Sequence, residues 1–427
     1  MRPGDTAATP TSTVRPTDLR AVRAAILDTS GPMAIAGAGT AAAWGGTLGP
    51  VDTVLDTTGL TGVIAHNPGD MTVSVHAGTP LRELAAELAP HSQHVAFDAA
   101  RAARGATVGG LVATADAGPS ALVYGSLRDL VIGATVVLAD GAVGRSGGHV
   151  IKNVAGYDLT KILHGSYGTL GVIAEVVLRL HPVPRRTATL TLECPLADAA
   201  GHTTRVLGSP LEPAALEWVS GDPGFLLVRL EGTADALPAR VQRLRTLLGS
   251  AATEIPAESD ERHSRRTGSD ESAARSAAVR DPSVRDPSVR DPWAWHAELV
   301  RGGAGRVMLR VGVLPGRLPA LLATLPGADA PDAAITAGLG TGVATVALGP
   351  VGDVGVADIA AAHAAVHAAG GTSVLRDRPA SLDAPAWGPP PSAIAVLRAV
   401  KKELDPDGRL GPGRFAPWFD ATEDGTS

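Results

Sequence analysis

Three stretches of the N-terminal half are too rich in glycine to form the interior of a long helix or strand. They are Gly37-Ala38-Gly39 through Gly49, Gly105-Ala106-Thr107-Val108-Gly109-Gly110, and Gly165-Ser166-Tyr167-Gly168-Thr169-Leu170-Gly171. Glycine costs about 1 kcal/mol relative to alanine inside a helix. It is also the residue that lets a backbone turn sharply or come close to a ligand. This part of the chain must therefore make short elements joined by tight turns. Between the clusters lie apolar runs that read as strands: Met33–Ala36, Val51–Leu55, Gly62–His66, Thr72–Ala77 and Val172–Leu180. Leu130–Leu138 is a further strand, turned back as a hairpin by Asp140-Gly141. Helices are expected over 17–30 with Thr17 as N-cap, over Pro80–Leu88 with Thr79 as N-cap, and briefly over Asp158–His164.

The first cluster, Gly37-Ala38-Gly39-Thr40-Ala41-Ala42, follows a strand and fits G-x-G-x-x-A, with Asp56 about twenty residues on. A dinucleotide-binding crossover would need a helix of about ten residues here. Gly45, Gly46, Gly49 and Pro50 break it almost at once. Two readings are left: a backbone nest whose successive N–H groups hold a pyrophosphate, or an ordinary turn.

The pattern changes at Pro182-Val183-Pro184-Arg185-Arg186. Beyond it a second α+β unit is expected, with strands at Ala188–Leu192, Ala215–Val219, Phe225–Glu231, Val307–Val313, Ala333–Thr336 and Val343–Leu348. Helices are expected at Leu237–Leu248, Ile359–Ala369 and Ser392–Leu404. Residues 256–292 form a charged insertion holding the repeat VRDPS VRDPS VRDP, which cannot build a core and reads as a disordered loop. The expected organisation is a disordered tail over 1–16, one domain over 17–184, a second over 185–391, a returning helix and turn over 392–417, and a disordered tail over 418–427.

Composition removes several function classes. A net charge of −6 argues against phosphate-driven binding of nucleic acid. One cysteine, Cys194, rules out an internal disulfide, a four-cysteine zinc site and a self-contained iron–sulfur cluster. No apolar run reaches the roughly 20 residues that span a bilayer, and the first residues lack a signal sequence. A cytoplasmic chain is expected, any membrane contact coming through a partner.

Other candidates are weaker. His363 and His367 share a helix face at i, i+4 without a third ligand and read as solvated or half-buried. His149 reads as a loop histidine and Cys194 as a small buried residue. Arg128, Arg179 and Arg310 could each hold a carboxylate as a fork. Lys152 and Lys161 are two of only four lysines and flank Tyr157.

Taken in order, three segments resemble the FAD-binding domain of the p-cresol methylhydroxylase and vanillyl-alcohol oxidase superfamily. They are the Gly37 nest, Arg104–Thr114 with Gly125-Ser126-Leu127-Arg128-Asp129, and Lys152-Asn153-Val154-Ala155-Gly156-Tyr157-Asp158-Leu159 with Gly165–Ile173. Within it, KNVAGYDL, GSYGTLGVIAEV and the terminal Val400–Arg409 segment resemble the FAD-binding subunit of bacterial glycolate oxidase. The resemblance implies an α+β chain. A two-subdomain FAD-binding domain would precede a smaller α+β cap, with 392–417 packing back on the FAD domain. It places Gly37, Ala38, Gly39 and Thr40 at the pyrophosphate, with Gly78, Thr79 and Pro80 close by. It puts Thr107, Gly109, Gly110, Gly125, Ser126 and Asp129 along the cofactor, and Gly168, Gly171, Val172 and Ile173 at one of its ends.

Residues 40–49 lack the histidine that tethers FAD in many relatives, so non-covalent FAD is implied. The metal-binding element of the catalytic relatives has no counterpart, the nearest stretch being Gly370–Val374, and Gly411-Pro412-Gly413 stands where they carry N-P-G. Oxidation of a 2-hydroxy acid (glycolate or D-lactate) is implied, with a second flavoprotein subunit and an iron–sulfur subunit as partners. A stand-alone dehydrogenase of another hydroxy acid or alcohol, and a non-catalytic or electron-relay subunit, are the alternatives.

Overall fold

The computed structural model describes residues 12–150, 158–222, 224–255, 291–302, 305–326, 334–350, 352–379 and 382–419. The Lys152–Tyr157 part of the third motif, the charged insertion up to residue 290 and most of both expected tails lie outside them.

Each short apolar run becomes a strand. Ser12–Val14, Thr53–Asp56 and Met33–Ala36 form a small parallel sheet with Thr53–Asp56 in the middle. The strand at Ser12–Val14 differs from the sequence reading, which left everything before Pro16 as tail. Its Thr and Val suit a sheet edge, and the Ser12 hydroxyl bonds that of Thr53 at 2.9 Å. A second, antiparallel sheet runs in the order Val63–Asn67, Thr72–His76, Val172–Arg179, Val131–Val137, Val143–Gly147. Its inner residues pack on the helix Leu81–Leu88 and the short helix Val108–Ala113.

The first long helix starts at Leu19, because the Asp18 carboxylate rather than Thr17 accepts the Ala21 N–H, at 2.7 Å. Likewise Pro80, not Thr79, holds the cap position of the next, and the Thr79 hydroxyl instead accepts from the Gly62 N–H.

From Arg186 onward the strands join an eight-stranded antiparallel sheet: Thr253–Ile255, Arg186–Glu193, Phe225–Gly232, Ala215–Val219, Ile335–Gly338, Val343–Pro350, Arg306–Gly312, Thr372–Arg376. Alternation splits its faces. Leu190, Leu216, Val228, Leu309, Val346 and Leu375 point to an apolar core shared with the helices at Leu196–Leu207, Leu237–Leu248 and Val356–Ala368. The opposite face carries Glu217, Arg229, Arg310, Thr345 and Arg376, and this polar row meets the first domain. There Arg229 pairs with Asp98 at 2.6 Å, Arg376 with Asp116 at 3.5 Å, and Tyr124 donates to Glu231 at 2.7 Å.

The last described residues return to the first domain. Leu410 is buried beside Met33 and bridges it in parallel, while the Arg409 guanidinium donates to the carbonyls of Ile26, Thr29 and Ala139. Trp418 and Phe419, read as tail from the sequence, instead join a ring cluster with Phe415 and Trp387. Aromatic area of this kind is worth holding down. Among the described residues no helix is long and apolar enough to cross a membrane.

Asp405 anchors this return. It is 1% exposed and accepts from Lys401 Nζ and from the backbone N–H groups of Arg409 and Leu410. Asp405→Ala takes the carboxylate from the Lys401 ammonium, which keeps the carbonyls of Thr169 and Leu410, and leaves two N–H groups without their acceptor. The expected cost is about 3 kcal/mol, read from urea unfolding midpoints.

His164 gives a pH signature. Burial first, and then the neighbouring Arg128, hold its pKa down to about 4, and its Nε2 has no hydrogen-bond partner among the described residues. The unfolded chain therefore binds the extra proton between about pH 6.5 and 4, so stability falls as pH drops through that window. His164→Gln is expected to remove roughly 2 kcal/mol of that acid-side loss, measured by melting at pH 7 and pH 4.5.

A candidate cofactor cleft

The cleft opens where the Met33–Ala36 strand ends. The chain turns at Gly39 (φ +70°) and Gly45 (φ +69°), and no helix follows. Among the described residues, no acceptor takes up the N–H groups of Ala38, Gly39, Thr40 and Ala41. Facing them is the start of the Val108–Ala113 helix, capped by the Thr107 hydroxyl, which accepts from the Gly110 N–H at 3.3 Å. Ile35, Ala113, Gly168, Gly171 and Ile173 give apolar walls, and Tyr167, Arg101 and Arg414 complete the lining.

Close approach explains two of the glycines. A Cβ on Gly37 would lie 2.6 Å from Thr107 Oγ1, and one on Gly109 would lie 2.7 Å from the Ala77 Cβ. The loop and the helix start are thus brought together along a narrow gap. Unpaired N–H groups on one side, a guanidinium nearby and a flat apolar remainder suit a diphosphate joined to planar rings.

Of the residues singled out from the sequence, Gly37, Ala38, Gly39, Thr40, Thr107, Gly109, Gly110, Gly168, Gly171 and Ile173 line this cleft. Gly78, Thr79 and Pro80 stand behind it. A Cβ on Gly78 would strike the Thr57 carbonyl at 1.9 Å, and Pro80 forms a bridge with Thr107. Val172 turns its side chain into the core between the two sheets of the first domain. Gly125, Ser126 and Asp129 are not among the lining residues. Ser126 and Asp129 form a capping box on the short helix Leu127–Leu130.

Sequence reasoning missed the groups at the inner end. Trp44 is fully buried, with the Arg101 guanidinium carbon 3.1 Å and that of Arg376 3.4 Å from its ring centre. Two guanidiniums cannot share one face at those distances, so the indole lies between them. Asp116 lies 3.6 Å from Arg101 and 3.5 Å from Arg376, and Asp377 lies 3.4 Å from Arg101. Arg310, beside them, bonds only Thr345 Oγ1 and the Ala117 carbonyl among the described residues. Burial, and then Arg376, push its pKa down to about 10, still far above neutrality. Arg101 and Arg376 thus share two carboxylates, and Arg310 stands beside them without an ion pair among the described residues. Of this cluster the sequence had pointed only to Arg310, and that as one of three arginines; a tryptophan in a chain with 3% aromatics was the signal left unread.

The remaining candidates lie elsewhere. Arg128 and Arg179 are exposed. His149 bonds Thr72 and Asn67. His363 Nε2 donates to the Pro385 carbonyl while Nδ1 accepts from Ser373, and His367 is exposed. Burial pushes the Cys194 thiol up to about 11.

Comparison with known proteins agrees with this geometry. An FAD binding domain matches residues 10–147. That stretch is a p-cresol methylhydroxylase-type FAD-binding domain. It is 34% identical over 188 residues to the glycolate oxidase subunit GlcE of Escherichia coli K12, covering 44% of this chain and 52% of the relative. Glycolate oxidase subunit GlcD of Bacillus subtilis 168 is 41% identical over 123 residues, 29% of this chain and 26% of that one. The D-lactate dehydrogenase of Archaeoglobus fulgidus is 37% identical over 143 residues, 34% of this chain and 32% of that one. The match spans about half or less of each of these relatives. Alkyldihydroxyacetonephosphate synthase shares the fold, with a TM-score of 0.61 at 16% identity over 94% of this chain and 76% of that one.

The residues present fit FAD, the cofactor of this domain. Gly37→Ala should drive a methyl group into Thr107 and part the two walls. FAD affinity is expected to fall at least about tenfold, or ~1.4 kcal/mol, in a flavin fluorescence titration. Gly69→Ala, with nothing within 4 Å of the added carbon, should bind as the parent does.

Proposed function

We propose that this chain is the FAD-binding subunit of a heteromeric 2-hydroxy-acid dehydrogenase. It would oxidise glycolate or D-lactate and hand the electrons to an iron–sulfur partner, alongside a second flavoprotein subunit. The supporting observation is Arg310, which stands beside the Arg101–Arg376 cluster behind the cleft and makes no ion pair among the described residues. A carboxylate substrate gains most from a guanidinium whose charge is not already taken. Bound FAD supplies the two-electron acceptor.

The chain's own residues do the rest. The N–H groups of Ala38 to Ala41 and Arg414 hold the diphosphate. Ile35, Ala113 and Ile173 keep water from the ring. Arg310 orients the acid, and Asp116 keeps Arg101 and Arg376 from competing for it. Electrons must then leave, and one cysteine cannot hold an iron–sulfur cluster, which favours a separate acceptor. The relatives named as glycolate oxidase subunits support the same assignment. The full burial of Trp44 between the arginines favours a second reading, an electron-relay subunit whose substrate binds elsewhere in the complex.

Anaerobic addition of glycolate or D-lactate to the FAD-loaded chain, alone and assembled with its partner subunits, separates these readings. Bleaching of the flavin is expected with one of the acids. Arg310→Met is expected to slow it about a hundredfold, some 3 kcal/mol, while FAD stays bound. An oxidised flavin in the complete complex, or bleaching indifferent to Arg310, overturns the assignment.

A further inference from the structure

The segment 98–103 divides the space between the domains. Arg101 faces the cofactor cleft, while Ala99, Ala100, Ala102 and Ala103 line a second cavity of about 360 Å³. Its far wall is the helix Pro292–Arg301, which contributes Trp293, His296, Ala297 and Arg301.

The charges in this cavity are unevenly matched. Arg229 is taken up by Asp98 at 2.6 Å and Glu231 at 3.6 Å. His296 is 6% exposed and meets Glu217 at 3.3 Å. Arg301 donates one bond to the Ala100 carbonyl at 3.0 Å and has no carboxylate partner among the described residues. Arg104 lies close enough to add to the effect of burial in lowering the Arg301 pKa. Arg301 thus stands at a cavity whose near wall, Ala99, Ala100, Ala102 and Ala103, is made of small side chains.

We infer that this second cavity is a binding site for a small organic acid, its carboxylate held by Arg301. The methyl-sized wall leaves room for a compact ligand. A guanidinium with unspent donors offers the bidentate partner that a carboxylate needs. The ligand class rests on the acid-oxidising reading above, while the cavity and its charges do not.

Oxalate is the probe, titrated into the FAD-loaded full chain with tryptophan fluorescence as readout, since Trp293 lines the cavity. Saturable quenching is expected. Arg301→Met should weaken it at least tenfold, and so should Ala297→Phe, which fills the space and keeps the charge. Flavin absorbance checks that both variants keep FAD, and Arg310→Met should leave the oxalate response in place. The inference fails if oxalate gives no saturable response, if both cavity variants titrate like the parent, or if only Arg310→Met abolishes binding. Flavin that no acid reduces, with oxalate binding still dependent on Arg301, would instead remove the oxidation reading and leave the site.

Discussion

The Arg101–Trp44–Arg376 stack, with Asp116 reaching both guanidiniums, ties the two domains together at the point where the cofactor cleft ends. Arg101 and Asp116 come from the first domain and Arg376 from an edge strand of the second. Two buried like charges repel, and the arrangement holds because the indole presents an electron-rich surface to each and one carboxylate serves both. Each cation–π contact contributes on the order of 1 kcal/mol, more where water is excluded. Removing the carboxylate would leave Arg101 with Asp377 alone and Arg376 without an ion pair among the described residues.

That junction also fixes the loop after the nest. The Gly45 N–H donates to the Leu375 carbonyl, and Arg378 donates back to the Gly45 carbonyl at 2.9 Å. From the other side, Gly46 and Gly49 donate to the carbonyls of Arg414 and Pro412, and Arg414 donates to the Ala42 carbonyl. A loop without helix or strand is thus held by the second domain and by the returning C-terminal segment. Its unpaired N–H groups can then point into the cleft without refolding when an anion binds. The order of the nest depends on residues more than 300 positions away in sequence.

The short-range part of this was legible. Strand runs, the broken helix after Gly39 and the close-approach glycines follow from local chemistry, and Gly37 and Gly109 sit where their lack of a Cβ is required. The inner end was not legible, because Arg101 and Asp377 are 276 residues apart and Arg376 and Asp116 are 260 apart. No periodicity links such positions. Arg310 could be named only as one of three arginines, and what separates it from Arg128 and Arg179 is the face of a sheet whose strand order the sequence does not spell out. Ser126 and Asp129 illustrate the opposite case: S-x-x-D is a helix-start pattern, and the structure uses it as one.

The most direct measurement is an absorption spectrum of the purified chain, reconstituted with FAD where needed, before and after acid precipitation. A flavin spectrum that moves entirely into the supernatant, where it is identified as FAD, is the expected result. A colourless protein that takes up no FAD would contradict the cleft assignment, and flavin retained in the pellet would contradict non-covalent binding.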